Sequence, residues 1–443
     1  MRTPLSNVDA AWHRMDEPAN RMVVTGVLVF DTPLSMARLR ALLEERLLGF
    51  RRFRQRVVEP FGGVGVLSWE DDPDFSVDHH LVSARLPAPR DEAALQRLAS
   101  GLASQGFPTG RPPWRFHLVA HFQGGSALIV RLHHCIGDGL ALVHVLLSMA
   151  DGAPQPPPPT REDGDGRGFW AGIEALLTGV PEGIRRSAEL PDHLASLVRL
   201  LVLPPDPRTA FKGRLGRTKR LVWSRSFRLE DFKSVGAATG TTVNDILMAA
   251  LTGALRRYLL ARARVTGDLD VRGVVPVNLR PASEAHRLGN RFGLVFLSLP
   301  LGIQDTLGRL EELRRRMQAL KRAPDAAATF QLLWVMGLAP RAFFDLVVNL
   351  FAAKATAVVT NVVGPREPIK LAGVRVRQAM FWVPCAGHLA LGVSLLSYAG
   401  RVWVGVHTDA ALIPDPERIL DGFERELKAL RAAGRRARKR PPR

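Results

Sequence analysis

The sequence predicts an α/β (α+β) protein built from two similar halves with a site where they meet. Three observations predict it. Strand-like alternation and helix-like spacing interleave in both halves of the chain. A break rich in Pro and Gly separates the halves, running from Ala153 to Gly168 through Pro156–Pro159. The 443 residues are 46% hydrophobic, enough for two or three cores at roughly 100–200 residues per domain. The expected organisation is a first domain over 1–152, a Pro/Gly-rich and helical linker over 153–212, a second domain over 213–434, and a basic tail over 435–443.

In the first half, Val23–Phe30 reads as a strand, and Leu39, Leu42, Leu43 and Leu47 give Met36–Leu48 a helical spacing. Gly62–Trp69 alternates like a strand and Glu92–Gln105 reads as a helix. Arg115–Phe122 and Ala127–His134 form a hairpin around Gln123-Gly124-Gly125, and Leu140–Met149 continues as a helix. Linker helices are expected over Trp170–Leu203, before Pro204-Pro205. In the second half, Leu221–Phe227 reads as a strand and Leu229–Thr239 as a helix. Thr242 is a candidate N-cap for a long helix reaching about Arg264. Strands follow at Val271–Asn278 and Phe292–Pro300, a helix at Thr306–Arg322, and apolar helices over Phe330–Ala353. Ala357–Asn361, Val374–Phe381, Leu389–Tyr398 and Arg401–His407 complete the strands. A helix from near Asp415 to Ala432 closes the chain.

The charge is strongly basic: 61 Lys+Arg against 42 Asp+Glu give +19. Such a field attracts anionic partners, whether an anionic membrane leaflet, phosphorylated cofactors or nucleic acid. Nucleic acid is disfavoured, because the basic run Arg435–Arg440 has no interleaved aromatics. With two cysteines, Cys135 and Cys385, no disulfide framework is available, which fits a reducing compartment. The N-terminus lacks the apolar region of a signal peptide. The most apolar stretch, Phe343 to Val363, is interrupted by Asp345, Asn349 and Lys354, short of a membrane span. A cytoplasmic protein, soluble or bound to a surface, is expected.

The chemistry concentrates in His133-His134-Cys135-Ile136-Gly137-Asp138-Gly139, an HHxxxDG motif between a strand-like and a helix-like run. Side chains alternate along a strand, so one of the two histidines faces the packed side and the other the opposite side. A neutral imidazole, with an unperturbed pKa of about 6.5, can take a proton from a hydroxyl or amine. Gly137 and Gly139 allow a tight turn with room for a substrate. Asp138 either orients an imidazole or pairs with an arginine to hold the turn. Cys135 reads as a small packed side chain rather than a nucleophile. Asp78-His79-His80 has the paired histidines without the Asp-Gly turn and reads as structural. No metal site is expected.

HHxxxDG resembles the motif of the CoA-dependent acyltransferase superfamily, which includes chloramphenicol acetyltransferase and peptide-synthetase condensation domains. Within it, the chain is most similar to the bacterial wax ester synthase/diacylglycerol acyltransferase family. Pro4-Leu5-Ser6-Asn7-Val8-Asp9 is similar to the family's PLSxxD, Asn244-Asp245 to its ND motif, and Asn361-Val362-Val363-Gly364-Pro365 to its NxxGP segment. Val275–Arg280 and Gly289–Gly293 are similar less specifically. Leu86-Pro87-Ala88-Pro89-Arg90 departs from the family's LPxPG, with arginine in place of glycine, in a segment read as structural.

The resemblance implies two chloramphenicol-acetyltransferase-like domains with an active-site tunnel at their interface. It implies acyl-CoA as co-substrate without a further cofactor, and diacylglycerol or a fatty alcohol as acceptor. It assigns His134 as general base, with His133, Asp138 and Gly139 completing the motif. Asn244 becomes the candidate oxyanion donor, unless it caps the helix. Asp245, Arg280, Asn290 and Gly293 become substrate-binding candidates, Arg280 also as a partner for Asp138. An anionic membrane or lipid-droplet surface is the expected macroscopic partner, and Leu332–Phe351 is expected to dock on lipid, line the tunnel or pack in the core. The alternatives are a condensation-type enzyme with another hydroxyl or amine acceptor, and a non-catalytic lipid-binding protein. No feature of the sequence fixes an oligomeric state.

Overall fold

The computed structural model of the chain describes residues 2–60, 66–153, 196, 198–262, 267–281, 284, 288–321, 325–339 and 341–439. The expected Pro-rich segment and most of the linker helices therefore lie outside the described residues, as does the end of the basic tail.

Two mixed sheets organise the molecule. The first runs β13-β14-β2-β7-β6-β5, with β13 Lys370–Leu371, β14 Val374–Trp382, β2 Val23–Phe30, β7 Gly125–His133, β6 Trp114–Phe122 and β5 Leu81–Ala84. The second runs β11-β10-β12-β15-β16-β8, comprising β11 Phe292–Pro300, β10 Asp270–Asn278, β12 Ala357–Val363, β15 Leu391–Tyr398, β16 Arg401–Asp409 and β8 Lys219–Trp223; β9 Phe227–Arg228 also pairs with β16. A small third sheet joins β1 Arg2–Pro4, β4 Ser68–Asp71 and β3 Gln55–Val58. Helices α1 Asn7–Arg14, α2 Met36–Glu45, α3 Glu92–Ala103 and α4 Gly139–Ser148 belong to the first half. α5 Leu229–Thr239, α6 Val243–Leu260, α7 Thr306–Lys321, α8 Asp325–Met336, α9 Arg341–Ala353 and α10 Glu417–Lys439 belong to the second.

One strand crosses between the halves. β14 comes from the C-terminal half of the sequence yet pairs antiparallel with β2, setting Trp382 against Thr25 and Ala379 against Leu28. α3 makes a second stitch, where the Ser100 hydroxyl accepts a hydrogen bond from the main-chain N–H of Leu221 in β8 at 2.8 Å. The core of the first sheet accordingly includes Trp223, Val376, Trp382 and Trp403 from the later half. The second core packs around α6, whose Ile246, Ala250, Ala254 and Leu255 are fully buried.

Local chemistry fixes the elements nearest the site. The central strand β7 is buried along nearly its whole length, its polar Ser126, Arg131 and His133 included, because neighbours cover both faces. α4 starts where the Asp138 carboxylate accepts the Ala141 N–H at 2.9 Å. α6 starts with a capping box, Thr242 and Asp245 bonding reciprocally. At the far end α10 continues to Lys439, so helix carries residues 435–439 of the run that was expected as a tail from 435.

Candidate active site

His133 ends β7, and His134 begins the turn into α4, its N–H donating to the Met22 carbonyl at 2.7 Å. The two rings face different surroundings. His134 lies on the wall of a cavity of about 270 Å³. His133 turns the other way, towards His13 and Asp16, with its Nδ1 accepting from the Cys135 N–H at 3.2 Å.

The His134 imidazole is held on an aromatic surface. Trp12 stacks on it with ring centres 4.3 Å apart and planes 20° off parallel, and Phe292 adds a tilted contact at 5.8 Å. Burial lowers its pKa, and the nearby negative charge of Asp138 opposes that shift. No hydrogen bond of good geometry reaches its Nδ1, though its own carbonyl and the Asn290 side chain lie near enough to favour the protonated ring. The result is a neutral imidazole at neutral pH, in the state that accepts a proton.

Behind it, the turn is fastened to the second half. The Asp138 carboxylate accepts from Ala141 N, from Arg280 Nη2 at 2.9 Å and from Arg291 N at 2.9 Å. Arg280 also donates to the Gly289 carbonyl at 2.8 Å, and Gly289 forms a parallel bridge with Gly137. Gly289 has φ of +93°, a left-handed conformation that favours glycine, and the Asp9 carboxylate packs against it. Asp9 accepts from both the N–H and the Nδ2 of Asn290, at 3.0 and 2.7 Å, and Asn290 Nδ2 also donates to the His134 carbonyl at 2.8 Å. Asp9 in turn meets Arg52 at 3.5 Å, and both are buried. The PLSxxD segment thus performs two local tasks: Ser6 caps α1, and Asp9 ties the histidine turn to Asn290.

Of the remaining expected site residues, Arg280, Asn290, Asp245, Gly293 and Asn244 are not on the cavity wall. Arg280 and Asn290 are buried and bonded within the protein, as above. Asp245 is spent on the α6 capping box. Gly293 does not line the cavity: a Cβ there would come within 1.7 Å of the Ala326 carbonyl oxygen, so its side-chain-free backbone lets β11 pass α8. These three side chains bond within the protein, Gly293 packs against backbone, and none of the four lines the cavity. Asn244 does not cap α6, a task done by Thr242. Its Oδ1 accepts from Asn361 Nδ2 at 2.8 Å, and it is Asn361 that lies on the wall. Gly139 lines the cavity beside Leu140, which is 44% exposed and marks a mouth.

The rest of the wall is mostly apolar, with Asn278, Thr329 and Thr360 among its polar members. α8 contributes Leu332, Leu333 and Met336, and α9 contributes Val347, Val348 and Phe351. Sequence reasoning missed Trp12 and Asn361 as site residues. Trp12 follows Asp9 by three residues on α1, the spacing that puts two side chains on one helix face.

His13, His133 and Cys135 bring ligand-type atoms within 4.8 Å of one another. Burial pushes the Cys135 thiol well above its usual range and holds His133 well below its own. A cation there would need that buried thiol to ionise; of the His133 ring nitrogens, Nδ1 is taken by the Cys135 N–H and Nε2 makes no hydrogen bond. The group is a neutral packed cluster behind the base.

Comparison with known proteins agrees with this architecture. Residues 5–247 match the wax ester synthase/diacylglycerol acyltransferase catalytic domain, and residues 288–431 match the C-terminal domain of the same family. A protein of Mycobacterium tuberculosis named probable diacylglycerol O-acyltransferase is 28% identical over 412 residues, covering 89% of this chain and 88% of that protein. The solved wax ester synthase/diacylglycerol acyltransferase from Marinobacter aquaeolei is similar with a TM-score of 0.70 and 23% identity, over 98% of this chain and all of that one. The first condensation domain of the calcium-dependent antibiotic synthetase is similar with a TM-score of 0.65 and 18% identity, over 98% of this chain and 96% of that one. The chain is an acyltransferase and belongs to the wax ester synthase/diacylglycerol acyltransferase family.

Proposed function

We propose that the chain transfers a long-chain acyl group from acyl-CoA to diacylglycerol, to a fatty alcohol, or to both, with His134 as general base. The observation that carries the reading is a neutral, buried imidazole on the wall of an apolar cavity between the halves. His134 takes the proton of the acceptor hydroxyl as its oxygen attacks the thioester carbonyl. The C–S bond then breaks, and the imidazolium returns the proton to the CoA thiolate. Both substrates are held together, so no acyl-enzyme is needed. The tetrahedral oxyanion needs a donor, and the Asn244–Asn361 pair is the amide group nearest in kind to that task, with Asn361 on the wall.

Asp138 and Arg280 hold the turn and bias the imidazole charge. Acyl-CoA is a co-substrate, and the chemistry calls for no further cofactor. The +19 charge supports attraction to the CoA phosphates and to an anionic lipid surface, on the inner membrane face or on lipid inclusions. Among the described residues no helix is long and apolar enough to cross a membrane.

The test is CoA-thiol release from a long-chain acyl-CoA, with hexadecanol or diacylglycerol as acceptor, for the unmodified protein and for His134→Ala. Acceptor-dependent release that falls by about 10²- to 10⁴-fold in the variant is expected, the usual contribution of a general base. The preferred acceptor then names the activity. Undiminished release by His134→Ala removes the base assignment. No release with either alcohol from folded protein removes the proposed acceptors.

A further inference from the structure

Helix α9 is apolar on two faces. Phe344, Val347, Val348 and Phe351 form one, turned inward: Phe344 is buried in a core cluster with Trp12 and Met336, and the others line the cavity. Phe343, Leu346 and Leu350 form the other, at i, i+3 and i+7, and are 53%, 65% and 39% exposed. The inward face needs no further explanation. The outward stripe does, because a helix on a protein surface ordinarily turns a polar side to water.

A second apolar exposure is tied to the C-terminal end of the helix. Lys354, just past α9, donates its Nζ to the main-chain carbonyls of Leu200 and Leu201, joining the helical turn at 198–202 to the end of α9. On that turn Leu201 and Val202 are 52% and 73% exposed. Large exposed apolar side chains gathered on adjoining elements mark an interaction surface.

We propose that the outward stripe of α9, with Leu201 and Val202, docks on an anionic lipid surface, and that α9 is the partition between that surface and the cavity. The proposal rests on the lipid-acceptor reading above. Two observations choose a lipid surface over a protein. The same helix that bears the stripe forms the cavity wall, so docking it sets the apolar phase one helix thickness from the reaction chamber. The chain also carries +19, which draws it to anionic headgroups before the stripe can bury. Docking then holds a water-insoluble acceptor close to the cavity.

The experiment uses the full chain and vesicles of phosphatidylcholine and phosphatidylglycerol, with and without diolein. The variants are the triple Phe343→Ser/Leu346→Ser/Leu350→Ser and the single Leu346→Glu, the latter at the most exposed of the three positions. Each is read by vesicle co-sedimentation, by thermal midpoint, by mass in solution, and by acyl transfer to a soluble short-chain alcohol. Vesicle binding and turnover of vesicle-borne diolein are expected to fall at least tenfold in both variants. Turnover of the soluble alcohol should stay within twofold, with an unchanged thermal midpoint.

Unchanged vesicle binding by either folded variant overturns the proposal. So does a lowered thermal midpoint in Leu346→Glu, which would mean that the chain's own residues cover the stripe. A dimer that the variants convert to monomer, with vesicle binding intact, overturns it in favour of a second copy of the chain. Stripe-dependent vesicle binding by a protein that acylates no alcohol supports the surface and overturns the lipid-acceptor reading instead.

Discussion

The indole of Trp12 lies flat against the imidazole of His134, ring centres 4.3 Å apart. Trp12 sits on α1, which enters with its Ser6 cap and carries Asp9 one turn earlier. The same short helix therefore governs the histidine twice: Asp9 holds its carbonyl through Asn290, and Trp12 holds its ring.

This predicts a graded response to substitution at Trp12. A stacked aromatic pair contributes about 0.5–1.5 kcal/mol beyond the area it buries, and a reacting group displaced by about 1 Å can lose about 10²-fold in rate. Trp12→Ala should lower kcat by about 10- to 100-fold with a folded protein, while Trp12→Phe, which keeps an aromatic face, stays within several-fold of the unmodified protein. Steady-state kcat and KM for acyl-CoA check this. An equal loss in both variants would show that the aromatic face does not hold the ring.

A second prediction concerns Asp138 and the pH profile. Burial moves the His134 pKa down from its usual 6.5, and the Asp138 charge moves it partly back up. The base is active when neutral, so activity is lost as pH falls through that lowered pKa. Asp138→Asn removes the opposing charge and leaves Arg280 without its anion. Both changes disfavour an imidazolium, so the acid limb of kcat/KM should move to lower pH. The rate on the plateau should fall as well, because the Arg280 and Arg291 N–H contacts to the turn are weakened. A limb that moves to higher pH would contradict the electrostatic link.

What the sequence made legible follows the range of the interactions. Strand, turn and helix around His134 lie within about twenty residues, and their polarity pattern and turn glycines are written locally. Thr242 as a cap was legible for the same reason. The pairing of Asp138 with Arg280 spans 142 positions and came from resemblance, since no local pattern encodes it. The docking of β14 onto β2 left no trace in composition, because an apolar strand reads alike whichever sheet receives it. Gly293 adds a long-range case: its motif suggested a contact with substrate, and no local pattern encodes the close approach of the Ala326 backbone that its missing side chain permits. Asn361 opens the NxxGP-like segment, but that it rather than Asn244 reaches the wall depends on how two distant elements meet.

The buried histidines make a third prediction, about acid stability. Burial brings His80, His117 and His407 down to about 4, and holds His133 well below its usual 6.5. His80 is representative: its ring stacks on Trp114, with the Trp114 carbonyl 2.8 Å from its Nδ1. In the unfolded chain these groups protonate near pH 6.5, whereas the native protein resists until about pH 4. Below 6.5 the unfolded state therefore binds more protons, and each extra proton costs the native state about 1.4 kcal/mol per pH unit. Stability should be full above pH 6.5 and fall steadily as pH drops towards 4. Paired carboxylates such as Glu312, held down to about 2 by Arg315 and Arg316, titrate beneath that window. Urea unfolding at pH 7, 6 and 5 checks the slope, and His80→Gln should flatten it by about one proton. A stability that stays level from pH 7 to 5 would mean that these rings are not held neutral by the fold.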